Sequence, residues 1–424
     1  MVSMSESRLI GRRSQLNDLQ QHIYHALSGQ PRVLLIEGLA GMGKTRLLQE
    51  MQSLASQQSM AAYYSTCDET ATEPYAPFVG LLPRLEEANV LETHNRTLLH
   101  RLFGTATDHA FTLTIDEIPT DSATFLLSIS HALAQMASTQ PLLLLVDNLH
   151  AADRSSLDLF EYLAFNLAEQ RTLPIILVGS HRLVAPETPV GRLLNRLQCE
   201  PITHPLALSG LEESETRVFL QHLGVERPTQ QLVQAIQQTT HGIPLFIQEA
   251  VHHAHRVGAL YTRHGYLAVR QQAVATLQLP RDISSAMTGR IDTLPAACQA
   301  ILMQAALLGD AFSTDRLGIF DQTDRARAEA ALETTSQHGV LHPEANRYHF
   351  THALIRQVLI ARLSQAQRQQ LHLHIARRLQ QTRGAHLLEI THHLIEAGPL
   401  VDAHTLTDYA EHAGNHAFSR FAWD

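Results

Sequence analysis

Cysteine is scarce in this chain of 424 residues: Cys67, Cys199 and Cys298 are all it has. Three thiols so far apart exclude a disulfide framework and a cysteine-built zinc site. Charge is thin as well. Asp, Glu, Lys and Arg make up 17 % of the residues, against ~25 % in an average globular chain. The formal net charge of −9 argues against a chain-wide affinity for nucleic acid. No apolar run approaches the ~20 residues that a membrane helix needs. The opening stretch MVSMSESRLIGRR has no apolar centre and does not read as a signal peptide. Histidine is plentiful at 27 copies but scattered, with no HExxH and no convincing ligand spacing. With an ordinary hydrophobic content of 44 %, these absences describe a reduced, cytoplasmic globular protein of roughly two to four domains.

What is present begins with phosphate chemistry. GLAGMGKT, residues 38–45, matches G-x-x-x-x-G-K-[ST]. It follows the apolar run VLLIE (33–37) and leads into RLLQEMQSLASQ, which has helical spacing. A strand–loop–helix setting is what this motif requires. Gly38, Gly41 and Gly43 let the backbone curl so that its N–H groups face phosphate oxygens, and the helix adds its positive end. Lys44 would reach the β- and γ-phosphates, and the Thr45 hydroxyl would sit on Mg²⁺.

A second apolar run, LLLLVD (142–147), ends in Asp147, placed to complete a magnesium–nucleotide site; a plain helix cap is the alternative. The next position holds Asn148, which cannot take a proton from water as a carboxylate would. Asp153 is the nearest other acid, and it reads better as the cap of the helix RSSLDLFEYLA. A third run, LPIILVGSHR (173–182), is expected beside the Asp147 strand, with Arg182 either near the γ-phosphate or solvated. With YYST (63–66) and PITHPLAL (201–208), five strands alternate with helices, which implies a doubly wound parallel α/β domain.

Taken together the motifs resemble STAND-class P-loop ATPases, an AAA-like group. More narrowly, they resemble the ATPase modules in large LuxR-type transcriptional regulators and beside bacterial adenylate cyclases. LIGRRSQL (9–16), CDE with PYAPF (67–69 and 74–78), DNLHAAD, HGIPLFIQE (241–249) and FTHALIRQVL (350–359) carry it in order. Gln15, Asn148 and Ala151 depart from the pattern. The resemblance implies bound ATP or ADP with Mg²⁺. The nucleotide would lie among Ile10, Gly11, Arg12, Gly38, Gly41, Met42, Gly43, Lys44, Thr45 and Arg46, with Gly242 and Pro244 on the base. Read from residues alone, Gly242 and Pro244 are equally a helix–helix turn. His352 stands where the family places a phosphate-contacting histidine, with Ala353 in place of an acid; helix capping or packing is the alternative. A phosphate there would raise the imidazole pKa.

The expected organisation is a nucleotide-binding core over 1–206 and a helical lid over 207–277. A winged-helix domain over 278–363 follows, then an all-α, tetratricopeptide-like segment over 364–424. The winged-helix segment shows two helices, a third near 324–338 and the paired stretch VLHPEANRYHF (340–350). It has no basic stripe, so it reads as an internal clamp and the chain is not expected to bind DNA specifically. Small residues from Ala397 to Gly414 suggest the start of a repeat array that would meet an inducer or a protein partner. The chain stops at Asp424 within another helical pattern, as if more followed. The functional expectation is a nucleotide-held switch, possible as an oligomer, that hydrolyses ATP slowly. A DNA-acting ATPase resembling replication initiators and a non-hydrolysing scaffold are the alternatives.

Overall fold

The computed structural model describes residues 9–68, 74–87, 122–170, 172–270, 279–280, 282–317, 322–344, 347–381 and 387–419. Glu69 of the CDE stretch, the end of the expected lid, the wing tip 345–346 and the final FAWD lie outside the described residues.

Helix α1 (Arg13–Leu27) precedes β1 (Arg32–Glu37), α2 (Lys44–Gln57) and β2 (Ala61–Thr66). After a 3-10 turn at Ala76–Leu81 come α3 (Leu82–Glu87), α4 (Ser122–Thr139) and β3 (Leu142–Asp147). Then follow α5 (Arg154–Glu169), β4 (Ile175–His181), α6 (Pro189–Leu197) and β5 (Thr203–Ala207). The five strands are parallel and lie in the order β2-β3-β4-β1-β5. The strand before Arg182 therefore pairs directly with the strand ending at Asp147.

Alternation along each strand divides the apolar side chains between two cores. Val33, Leu35, Leu142, Leu144 and Val146 pack with α4, α5 and α6 on one face. Leu34, Ile36, Leu143, Leu145, Ile176 and Val178 pack with α1 and α2 on the other. Buried on both sides, β3 has no water-facing position, which is why its sequence is a continuous apolar run.

Three helices follow: α7 (Glu213–His222), α8 (Gln230–Thr240) and α9 (Pro244–Arg256). They share a core that includes Leu220, Leu232, Ile236, Ile247 and Ala250. The expected lid is not purely helical. A hairpin of β6 (Leu260–Arg263) and β7 (Tyr266–Val269) closes it.

Next come α10 (Ile283–Asp292), α11 (Ala296–Leu308), the short β8 (Ala311–Phe312) and α12 (Gln322–Gln337). Strands β9 (Leu341–Glu344) and β10 (Arg347–Phe350) form the expected pair. Strand β8 adds to β10 as a third strand that the sequence reading did not anticipate. Helix α13 (Ala353–Ala361) is followed by α14 (Gln365–Gln381), α15 (Leu387–Ala397) and α16 (Ala403–Ser419). One apolar core runs from Met287, Leu302 and Phe312 through Leu359 to Ile375 and Leu394, crossing the expected boundary at residue 364. Among the described residues no helix is long and apolar enough to cross a membrane.

Candidate functional site

The carboxyl ends of β1, β3 and β4 meet at one place because parallel strands all point the same way. The loop after β1 turns through Gly41 and Gly43, with φ of +81° and +90°, and enters α2 at Lys44. Lys44 is buried, and its Nζ donates to the loop's own carbonyls, Gly38 at 2.8 Å and Leu39 at 3.2 Å. Burial pulls its pKa down to about 8, with Asp147 opposing the shift and Arg182 adding to it. An anion at the loop would give this ammonium a better partner than two neutral carbonyls.

Asp147, at the end of β3, is almost fully buried and held on both oxygens. Oδ2 accepts from Thr45 Oγ1 at 2.6 Å and from the Tyr64 hydroxyl at 3.1 Å. Oδ1 accepts from Ser180 Oγ and from the Asn148 N–H at 3.0 Å. Tyr64 on β2 and Ser180 on β4 flank the acid from the neighbouring strands, and sequence reasoning did not single them out. The one signal available was polarity at the carboxyl ends of otherwise apolar strands. Tyr64 is driven well above the usual phenol range, first by burial and then by Asp147. Thr45 and Asp147 bring a hydroxyl and a carboxylate oxygen together at the cavity wall. These are hard oxygen donors suited to Mg²⁺, which usually takes few protein ligands and completes its shell with phosphate and water.

Asn148 takes a left-handed conformation, φ 59°, and its Nδ2 donates to Thr66 Oγ1 at 3.3 Å. Asp153 caps α5 by accepting from the Ser156 N–H at 2.9 Å, so this acid is committed to the helix. Arg182 follows β4, and among the described residues its guanidinium has no hydrogen-bond or ion-pair partner.

These groups open onto a cavity of about 610 Å³. Of the residues singled out by sequence, Ile10, Arg12, Gly41, Met42, Gly43, Lys44, Thr45, Arg46, Asp147, Asn148, Arg182, Pro244 and His352 line it. Gly11, Gly38 and Gly242 do not. Gly38 serves through its carbonyl, which holds Lys44. Gly11 and Gly242 both press against Leu211. A Cβ on Gly242 would fall 2.1 Å from the Leu211 carbonyl oxygen, and one on Gly11 would fall 2.5 Å from Leu211 Cδ2. With φ of +73° at Gly242, only glycine fits between α8 and α9. Arg12 spends its guanidinium on the carbonyls of Met42 at 3.2 Å and Ser209 at 2.7 Å, tying the phosphate loop to the chain after β5. Arg46 reaches Gln49 and Glu50 along the outside of α2.

The opposite wall comes from the carboxyl-terminal half: Asp310 and residues 349–354. His352 precedes α13 without capping it. Burial, reinforced by Arg290, lowers its pKa to about 4, so the ring is neutral at pH 7. Burial disfavours the imidazolium, whereas a phosphate contact would act in the other direction. The α9 end of the lid closes a third side, where the Leu245 N–H donates to the Gly41 carbonyl at 3.3 Å. Among the described residues, no group of three or more His, Cys, Asp or Glu side chains is arranged to cage a metal.

A family model described as an AAA ATPase domain matches residues 8–178. The matched stretch takes in the phosphate loop and Asp147. No curated protein matches the chain. Among solved structures, the chain is similar to Cdc6p from Pyrobaculum aerophilum, with a TM-score of 0.40, 13 % identity and coverage of 86 % of this chain and 98 % of that one. It is similar to the Aeropyrum pernix ORC1 protein, solved in complex with DNA, with a TM-score of 0.37, 16 % identity and coverage of 84 % and 93 %. It is also similar to the Aeropyrum pernix ORC2 protein in ADPNP–ADP complexes, with a TM-score of 0.40, 12 % identity and coverage of 89 % and 98 %. Likeness at this level says nothing about what this chain binds or does.

Proposed function

We propose that this protein is a STAND-type ATP/ADP-binding switch with slow, Mg²⁺-dependent hydrolysis, regulating an output domain or a partner. The supporting observation is that one cavity is walled by three parts of the chain: the phosphate loop with Asp147, the lid at Leu211, Phe219 and Pro244, and the segment 349–354. A ligand shifts a conformational balance only through its differential affinity for the two states. A nucleotide touching all three walls would favour the closed arrangement over an open one. Reversing a 99:1 balance takes about 5.5 kcal/mol of such differential binding.

In this reading 1–206 is the ATPase core, 207–277 the lid, 278–363 a winged-helix clamp and 364–424 the start of a tetratricopeptide-like partner surface. Lys44 and Thr45 hold the phosphates and Mg²⁺ together with Asp147, Arg182 steadies the γ-phosphate, and Ile10 and Pro244 cover the base. His352 donates to the β-phosphate. Mg²⁺, when bound, neutralises phosphate charge. Asn148 orients water without taking its proton, so turnover is slow and the bound state persists. The clamp is not a specific reader of duplex DNA. On the β9–β10 hairpin, Glu344 pairs across from Arg347 and lies 3.4 Å from His349, so its charges answer one another.

The test is release of labelled ADP from the whole chain, read beside small-angle scattering. His352→Ala should release ADP about tenfold faster and favour a more open shape, since a charge-assisted hydrogen bond contributes about 1.5–3 kcal/mol. Unchanged release would remove His352 from the site. Sequence-specific duplex binding at physiological salt would replace the switch with the replication-initiator alternative.

A further inference from the structure

Between Glu249 and Asp282 the chain has no acidic residue, yet it holds Arg256, Arg263, Arg270 and Arg281. This is a local reversal of sign in a protein of net charge −9. The β6–β7 hairpin lies in the middle of it. Pairing sets Leu260 opposite Val269, Tyr261 opposite Ala268, Thr262 opposite Leu267 and Arg263 opposite Tyr266. Leu260 is buried, and Leu267 and Val269 pack on the lid core. By the two-residue period of strands, Tyr261, Arg263, Tyr266 and Ala268 share the other face. Arg270 joins them, its guanidinium carbon 5.6 Å from the centre of the Tyr261 ring. Tyr261 is 37 % exposed and Tyr266 56 % exposed. Neither Arg263 nor Arg270 forms an ion pair with any described residue. The turn itself is firm: His264 and Gly265 both take positive φ, 49° and 84°, as a tight two-residue hairpin requires.

We propose that this outer face is a contact surface for single-stranded nucleic acid. Tyr266 and the side of Tyr261 away from Arg270 offer aromatic surface to unpaired bases, and the guanidiniums of Arg263 and Arg270 meet the phosphates. That combination of aromatic platform and fixed positive charge is how single strands are held without reading their sequence. A duplex keeps its base faces stacked and could use only the arginines. An anionic membrane surface would call for a longer amphipathic helix that inserts apolar residues. The proposal is independent of the nucleotide switch. The hairpin residues do not line the nucleotide cavity.

The experiment uses the intact chain with fluorescein-labelled oligo-dT and oligo-U of about 20 nucleotides, longer than one expected site. Affinity is measured between about 50 and 200 mM salt, beside a duplex of equal length and vesicles of phosphatidylcholine with phosphatidylserine. The expected result is binding to single strands in preference to duplex. Arg263→Ala and Arg270→Ala should each reduce the log–log salt slope by about 0.7. Tyr266→Ala should weaken binding about fivefold or more, whereas Tyr266→Phe retains it. Thermal melting checks that each variant is folded, and Lys44→Ala should leave strand binding unchanged while it abolishes ADP binding. Absence of strand binding at the lowest salt would overturn the proposal. So would binding indifferent to Tyr266→Ala, or a preference for the vesicles or the duplex.

Discussion

Arg356 of α13 reaches acids from two distant parts of the chain: its Nη1 lies 3.7 Å from Asp68, just after β2, and 3.7 Å from Asp310, just before β8. Its Nε donates to the Ala306 carbonyl at 2.7 Å, and the Asp310 N–H donates to Asp68 Oδ2 at 3.0 Å. The cluster fastens the end of the five-stranded sheet to the carboxyl-terminal segment that forms the far wall of the cavity. We expect Asp68→Asn to loosen that seam, speeding ADP release several-fold with little change in melting temperature. Arg356→Met should cost more, about 3 kcal/mol, because it strips two carboxylates of their shared cation in a mostly buried place. Stopped-flow release and chemical denaturation check the two outcomes. Release unchanged in Asp68→Asn would show that the seam does not control the cavity.

Nucleotide binding should depend on Lys44 and Thr45. Ligand at a hundredfold excess over its dissociation constant stabilises a protein by about 2.7 kcal/mol. Mg-ADP should therefore raise the melting temperature of the wild type clearly, that of Thr45→Ala much less, and that of Lys44→Ala hardly at all. Equal shifts in all three proteins would exclude the phosphate loop as the binding site.

Asn148 offers a gain-of-function test. It sits beside Asp147 on the cavity wall, in a left-handed conformation that aspartate also tolerates. A carboxylate there would reverse the present bond, accepting from the Thr66 hydroxyl instead of donating to it. General-base catalysis contributes about 10²–10⁴-fold, so Asn148→Asp should increase phosphate release by at least tenfold. Wild-type turnover at motor-like rates would contradict the slow-switch reading, as would loss of hydrolysis in a folded Asp153→Ala.

The contrast between legible and illegible parts follows from how each signal arises. β1, β3 and β4 could be read directly, because strands buried on both faces must be apolar throughout. The cap at Asp153 and the turn at Gly242–Pro244 were legible because each rests on local backbone chemistry. Strand β8 escaped because two residues carry no period, and the hairpin at 260–269 because its His264–Gly265 turn is not one of the common Asn-Gly or Asp-Gly signals. Tyr64 and Ser180 escaped for another reason. Their importance comes from sheet order, which sets β2 and β4 on either side of Asp147, and no local pattern encodes that neighbourhood. His352 lines the cavity, but its charge state could not be read before its surroundings were known.

The last prediction concerns pH. Within the carboxyl-terminal core, His372 Nδ1 and His393 Nδ1 are 2.7 Å apart and both rings are buried. One ring must donate and the other accept, so the pair is stable only while at least one nitrogen is unprotonated. Burial is the first cause of both shifts, lowering His372 to about 4 and His393 to about 3. In the unfolded chain each would titrate near ~6.5. Between those values the unfolded chain binds more protons than the folded one, so stability must rise with pH there. The pair's contribution is complete above about pH 6.5 and is lost as pH falls toward 4. We expect the melting temperature to decline over that window. His393→Gln keeps a hydrogen-bonding side chain but removes one titrating group, so it should flatten the decline although it lowers stability at pH 7. Other partly buried histidines, among them His22 and His352, are lowered in the same direction, so the slope should diminish without vanishing. A variant whose stability falls with acid as steeply as the wild type's would show that the His372–His393 pair does not titrate on unfolding.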